Sequence, residues 1–107
     1  MSLSTPADAY RRRQTPRQGE AAVFAEANRR LRSVQTERDL IRALADNRRL
    51  WNAVLDLVSD PGNQLAIALR AQIASVAHAV LRECDAPAPD VAFLTQTNTD
   101  FAEALWN

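Results

Sequence analysis

The side chains able to do covalent chemistry are few in this chain, and their spacing suits none of the usual reactions. His78 is the only histidine and has no HExxH or Cys/His neighbourhood, so no metal site is indicated. It projects away from the main apolar stripe of its segment and reads as a plain surface histidine. Cys84 is the only cysteine. With no base partner in view it reads as a semi-buried structural thiol, and it has no second cysteine for an internal disulfide. Two glycines, Gly19 and Gly62, are too few for a phosphate-cradling loop. The carboxylates are scattered over polar faces, with no pair set for acid–base work. The expectation is a protein that is not an enzyme and needs no cofactor and no metal.

Two clusters suit non-covalent recognition instead. Arg11-Arg12-Arg13, beside Tyr10, is the densest cationic run and has the chemistry to hold phosphate on RNA or anionic lipid. The simpler reading is a solvated helix end, where cations oppose the C-terminal dipole. It is preferred because thirteen basic residues, all arginine, balance thirteen acidic ones to a formal charge of zero. Nothing therefore steers the whole chain onto nucleic acid or a membrane surface.

Asn47-Arg48-Arg49-Leu50-Trp51 is more informative. Arg48 beside Trp51 suits a recognition surface. The alternative is internal: Asn47 ties helices together, and Arg48 pairs with a carboxylate of a neighbouring helix. The internal reading is favoured, since buried amides in bundles fix register. Asn98 sits in the middle of a second apolar stripe, as Asn47 does in the first, and the two amides are candidates to bond to each other. An amide in such a stripe without a partner costs about 1–3 kcal/mol.

These residues must be positioned by helices. The strongest period runs over 39–58, with Leu40, Leu44, Trp51, Val54, Leu55 and Val58 on one side. Thr36 with Asp39 reads as an acidic capping box at its start, and Asp60-Pro61-Gly62-Asn63 as the turn that ends it. Upstream, Ser4 or Thr5 with Pro6 predicts a short helix over 6–12. Thr15-Pro16 opens a second helix over 16–34, with Val23, Phe24, Ala27, Leu31 and Val34 as its seam. The segment 65–83 carries Leu65, Leu69, Ile73, Val76 and Val80 on one face and Ile67, Ala74 and Leu81 on nearly the opposite one. Two apolar faces predict either a central helix or a docking seam for a partner helix. Ala86-Pro87-Ala88-Pro89 reads as a stiff linker. Asp90 then caps a helix over 91–106, with Val91, Leu94, Phe101 and Leu105 in register.

At 107 residues, 47% of them hydrophobic, the chain has material for one domain with its own core. Sparse glycine, abundant alanine and no alternating strand pattern predict an all-α protein. The predicted architecture is a small up-and-down helical bundle, three or four main helices plus a short N-terminal one, over residues 1–107. No apolar run reaches the length of a membrane span, and the polar N-terminus carries no secretory signal. A soluble cytoplasmic protein is the expectation.

Nearly end to end, the chain resembles the FlaF family of bacterial flagellar regulators. Ala9-Tyr10 closes an N-terminal segment like the family's opening, and Thr15-Pro16-Arg17-Gln18-Gly19-Glu20 resembles its second landmark. Leu40 to Trp51, LIRALADNRRLW, is the most specific part. Asn63, Leu65 and Leu69-Arg70-Ala71-Gln72-Ile73 follow the family's pattern, as does Asn98 ahead of an apolar end. Leu65-Ala66 departs from a common Leu-Pro, and the linker is richer in alanine and proline.

The resemblance implies a role in flagellin production and export. It implies flagellin as a partner, held by a secretion chaperone, and the companion regulator FlbT as a further one. A groove between the helices over 39–58 and 65–83 is the expected partner site. Arg48 and Trp51 would lie near one end, with Ile67, Ala74 and Leu81 along it. Two other readings are an RNA-associated regulator of flagellin synthesis and an adaptor that binds only FlbT.

Overall fold

Several helix ends in this chain fall where side chains satisfy backbone groups that the helices leave open. A computed structural model describes residues 16–106. It holds four helices: α1 Pro16–Arg32, α2 Glu37–Ser59, α3 Ile67–Cys84 and α4 Val91–Trp106. No strand occurs among the described residues, and the all-α expectation holds. The expected helix over 6–12, with Tyr10 and Arg11 to Arg13, lies outside them.

α1 stops two residues short of the predicted end. The Ser33 N–H donates to the carbonyls of Arg29 and Arg30, at 3.1 and 3.3 Å, and so tightens the last turn. The α2 start is a closed capping box. Thr36 Oγ1 accepts from the Asp39 N–H at 3.1 Å, and Asp39 Oδ2 accepts from the Thr36 N–H at 3.3 Å. The 60–63 turn is held by Asp60 Oδ1 accepting from the Gly62 N–H at 2.9 Å. Asn63 extends it, donating to the Leu57 carbonyl at 3.0 Å and accepting from the Leu65 N–H at 2.9 Å. That second bond keeps Leu65 out of the helix and delays α3 to Ile67. Asp90 caps α4 by accepting from the Phe93 N–H at 3.0 Å. Its own N–H donates to Glu83 Oε2 at 3.1 Å, which ties the end of α3 to the start of α4.

The helices pack into a small bundle through two main pairings. α1 lies along α4 and α2 along α3, while α1 and α2 share a shorter contact. α3 and α4 touch least. The core gathers Phe24 and Leu31 of α1, Leu44, Trp51 and Val54 of α2, Val80 and Cys84 of α3, and Leu94 of α4. Trp51 is at its centre and fully buried. Phe24 meets its ring edge-on at 5.5 Å, and Phe101 meets both rings at 5.1 Å. Such pairs add about 0.5–1.5 kcal/mol each beyond area burial.

On the surface, Arg30 bridges α1 to Asp46 of α2 at 2.6 Å. Glu26 is pulled down to about 2 by the Arg29 hydrogen bond first and by Arg30 after it. Its stabilising effect is in place above the ordinary carboxylate range and fades as pH falls toward 2. Because the side chain is exposed to solvent, that effect stays small. No described helix is long and apolar enough to cross a membrane.

Replacing Thr36 by Ala removes one half of the capping box. Urea denaturation is expected to show a loss of about 1 kcal/mol with an unchanged m-value. An unchanged midpoint would mean that the box does not hold the start of α2.

Candidate functional site

Three buried amides meet beside Trp51. The indole Nε1 donates to Asn98 Oδ1 at 2.7 Å. Asn98 Nδ2 donates to Asn47 Oδ1 at 2.9 Å and to Asn28 Oδ1 at 3.0 Å. Asn28 Nδ2 donates in turn to the Thr95 carbonyl at 3.1 Å and to Thr99 Oγ1 at 2.9 Å. The cluster thus joins α1, α2 and α4. The pairing of Asn47 with Asn98 is the one their mid-stripe positions suggested.

The direction of every bond follows from one group. An indole N–H only donates, so Asn98 must turn its oxygen to Trp51. Its NH₂ then faces Asn28 and Asn47, and both of those must present oxygen. Asn28 finds acceptors for its own NH₂ on α4, but Asn47 does not. Asn47 Nδ2 is buried with no partner, a cost of about 1–3 kcal/mol. Asn28 is invisible as a core residue in the sequence, because it opens the polar run Asn28-Arg29-Arg30. The signal that points to it is its place one residue after Ala27 and three before Leu31, on the flank of the α1 seam.

The residues expected to meet a partner fall differently. Trp51 is 0% exposed and shut inside the core. Arg48 reaches across to α3 and donates to the Cys84 carbonyl and to Asp85 Oδ1, both at 3.4 Å, so its geometry matches the internal reading. Burial pushes the Cys84 thiol up, with nearby Arg48 opposing the shift, and the thiol stays protonated at neutral pH. His78 is exposed.

The two apolar rows of α3 are not opposite faces. They flank one buried line through Ala77 and Cys84. Arg70, Ala74, Ala77, Leu81 and Cys84, in alternating steps of four and three, form the ridge toward α2. Arg70 shows this directly: its Nε donates to the Val58 carbonyl at 2.8 Å and its Nη2 to that of Asp60 at 3.0 Å, closing the C-terminus of α2. Leu81 packs against the core, Ala74 is half-buried, and only Ile67, at 81% exposure, stands free at the tip of the α2–α3 hairpin. In the neighbouring row, Leu69, Ile73, Val76 and Val80, Val76 faces α4 across a groove.

Because α3 and α4 separate away from their Glu83–Asp90 tie, the second ridge is covered at one end only. Val80 is buried, whereas Val76 is 38% and Leu69 43% exposed. An open groove of about 540 Å³ follows, with Val76 and Ala79 on one wall and Phe93, Thr97, Asp100 and Phe101 on the other. Phe101 is shared, touching Trp51 on its inner side. Among the described residues no three carboxylate, cysteine or histidine side chains converge as for a metal ion.

Asn98→Leu strands the indole N–H and two amide oxygens, and it is expected to cost on the order of 3 kcal/mol or more by denaturant unfolding. Asn47→Leu removes the unpaired NH₂ along with one bond, so about 1 kcal/mol or less is expected. Equal losses would contradict the directed network. Cys84 is expected to react with a thiol reagent at pH 8 far more slowly in the native chain than in the unfolded one, and equal rates would contradict its burial.

No curated protein and no solved structure matches the chain. The profile of the family described as flagellar protein FlaF matches residues 6–105, which span α1 to α4 almost entirely. That span includes the amide cluster, the Thr36 box and the Arg70 closure of α2. The chain therefore belongs to the FlaF family and has a role in flagellar biogenesis.

Proposed function

We propose that this chain binds flagellin in the cytoplasm before export and acts as its secretion chaperone, alongside FlbT. It does so without catalysis. Family membership supports the flagellar setting. The observation that carries the binding role is the apolar surface left open on an otherwise well-packed bundle. Leu57, Leu65, Ile67 and Leu69 crowd the tip of the α2–α3 hairpin, and Val76 and Phe93 continue along the groove. Exposed large apolar side chains in this number around one hairpin tip and groove favour an interaction site.

Physical necessity supports the same reading. Flagellin subunits assemble through amphipathic terminal segments, as the resemblance implies, and those segments would self-associate if left bare. A rigid bundle with an open apolar side shields such a segment reversibly. Affinity comes from area removed from water, and release needs no broken bond.

A pull-down with each purified candidate separately tests the proposal. Flagellin is expected to be retained by the full chain, and retention is expected to hold at high salt because the contact is apolar. Retention of FlbT alone would replace it with an adaptor role. Retention of flagellin message, steeply weakened by salt, would replace it with an RNA-binding role.

A further inference from the structure

We infer that the groove between α3 and α4 receives one amphipathic helix of the partner, apolar along the buried face and cationic at the position that meets Asp100. The inference rests on the proposed binding of flagellin and assigns it a site and a chemistry. It differs from the groove between α2 and α3 that the sequence suggested, which the structure closes.

Three observations carry it. The first is the period of the partly covered ridge. Leu69, Ile73, Val76 and Val80 repeat in steps of four and three, the spacing that accepts a second helix side by side. At the covered end Val80 is buried in the core, and at the open end the place beside Val76 is vacant among the described residues. A strand has no counterpart here, because described backbone in this region is already bonded within helices and offers no sheet edge.

The second is charge. α4 has no basic residue, and its charged side chains are Asp100 and Glu103. Asp100 lies in the groove wall, and Gln96 Nε2 donates to its Oδ1 at 2.8 Å. None of the ion pairs among the described residues includes Asp100. A carboxylate facing an apolar trough favours a helix that carries lysine or arginine beside its apolar stripe. The same charge argues against a second copy seated groove on groove, which would set Asp100 and Glu103 of one chain against those of the other.

The third is how the walls are made. Small side chains, Ser75, Ala79 and Thr97, alternate with Val76, Phe93 and Phe101. Large side chains of an incoming helix can enter between them, as knobs enter holes. Phe101 also touches Trp51, so the groove wall is braced by the core and is not a loose flap.

The test is titration of full-length chain with purified flagellin, followed by calorimetry, for the wild type and four variants. Val76→Asp and Phe93→Ser are each expected to weaken binding by about tenfold or more, as central apolar contacts do. Asp100→Lys is expected to weaken it by a few-fold, with the deficit shrinking as salt rises. Ile41→Asp, on the exposed face of α2, is the control and is expected to bind like the wild type. Thermal melts check that each variant is folded; if Val76→Asp is not, Phe93→Ser and Asp100→Lys decide.

Flagellin binding by the wild type that the folded groove variants leave unchanged would overturn the groove while sparing the chaperone reading. No binding by the wild type would overturn both. A concentration-dependent dimer in sedimentation, dissolved by Val76→Asp, would show a second copy of the chain in the groove and overturn the inference.

Discussion

One donor organises this bundle. The indole N–H of Trp51 cannot accept a hydrogen bond, and it is sealed from water at the centre of the core. Asn98 must therefore turn its oxygen to it, and that orientation dictates those of Asn28 and Asn47. Each of the three helices in the cluster then has a single register that leaves the fewest polar groups stranded. Apolar contacts are non-directional and set the register of α4 only loosely. The amides do not tolerate a slip, because it would bury several unpaired groups at about 1–3 kcal/mol each. The unpaired Asn47 Nδ2 is the residual cost of that specification.

The cluster also explains why one side of the bundle stays open. It joins α1, α2 and α4, and α3 is not part of it. α3 is held instead by its ridge against α2, by Arg70 closing the end of α2, and by the Glu83–Asp90 tie. With α4 fixed to α1 and α3 fixed to α2, nothing pulls α3 and α4 together beyond their short connection. The groove is thus a consequence of where the polar bonds lie. It has rigid walls, and a rigid site loses less conformational entropy when a partner enters.

Much of this was legible in the sequence. The Thr36–Asp39 box, the 60–63 turn, the Asp90 cap and the stripe through Leu44, Trp51, Val54 and Val58 follow from local chemistry and period, and they appear where expected. Asn47 and Asn98 were legible because an amide in an apolar stripe has few alternatives. Three features were not. Asn28 borders a solvated arginine run, and its burial depends on Thr95 and Thr99 of a distant helix. Arg70 looks like a surface cation until the end of α2 is placed beside it. The two rows of α3 were judged opposite because a helical wheel shows angles but not neighbours. With α2 seated between Arg70 and Leu81, the other row is left partly open at Leu69 and Val76, while Val80 in the same row is buried. Several residues that carry the family resemblance, among them Asn47, Trp51, Asn63, Arg70 and Asn98, prove to be structural in their contacts.

The central claim is that the bundle holds its partner on the side where α3 and α4 part. Hydrogen–deuterium exchange of the full chain, with and without saturating flagellin, reads this along the backbone. Added protection is expected in the first half of α3, around residues 69–76, and in the second half of α4, around residues 97–104, with α2 between residues 40 and 51 unchanged. Protection confined to α2, or to the α1–α2 junction, would contradict the claim.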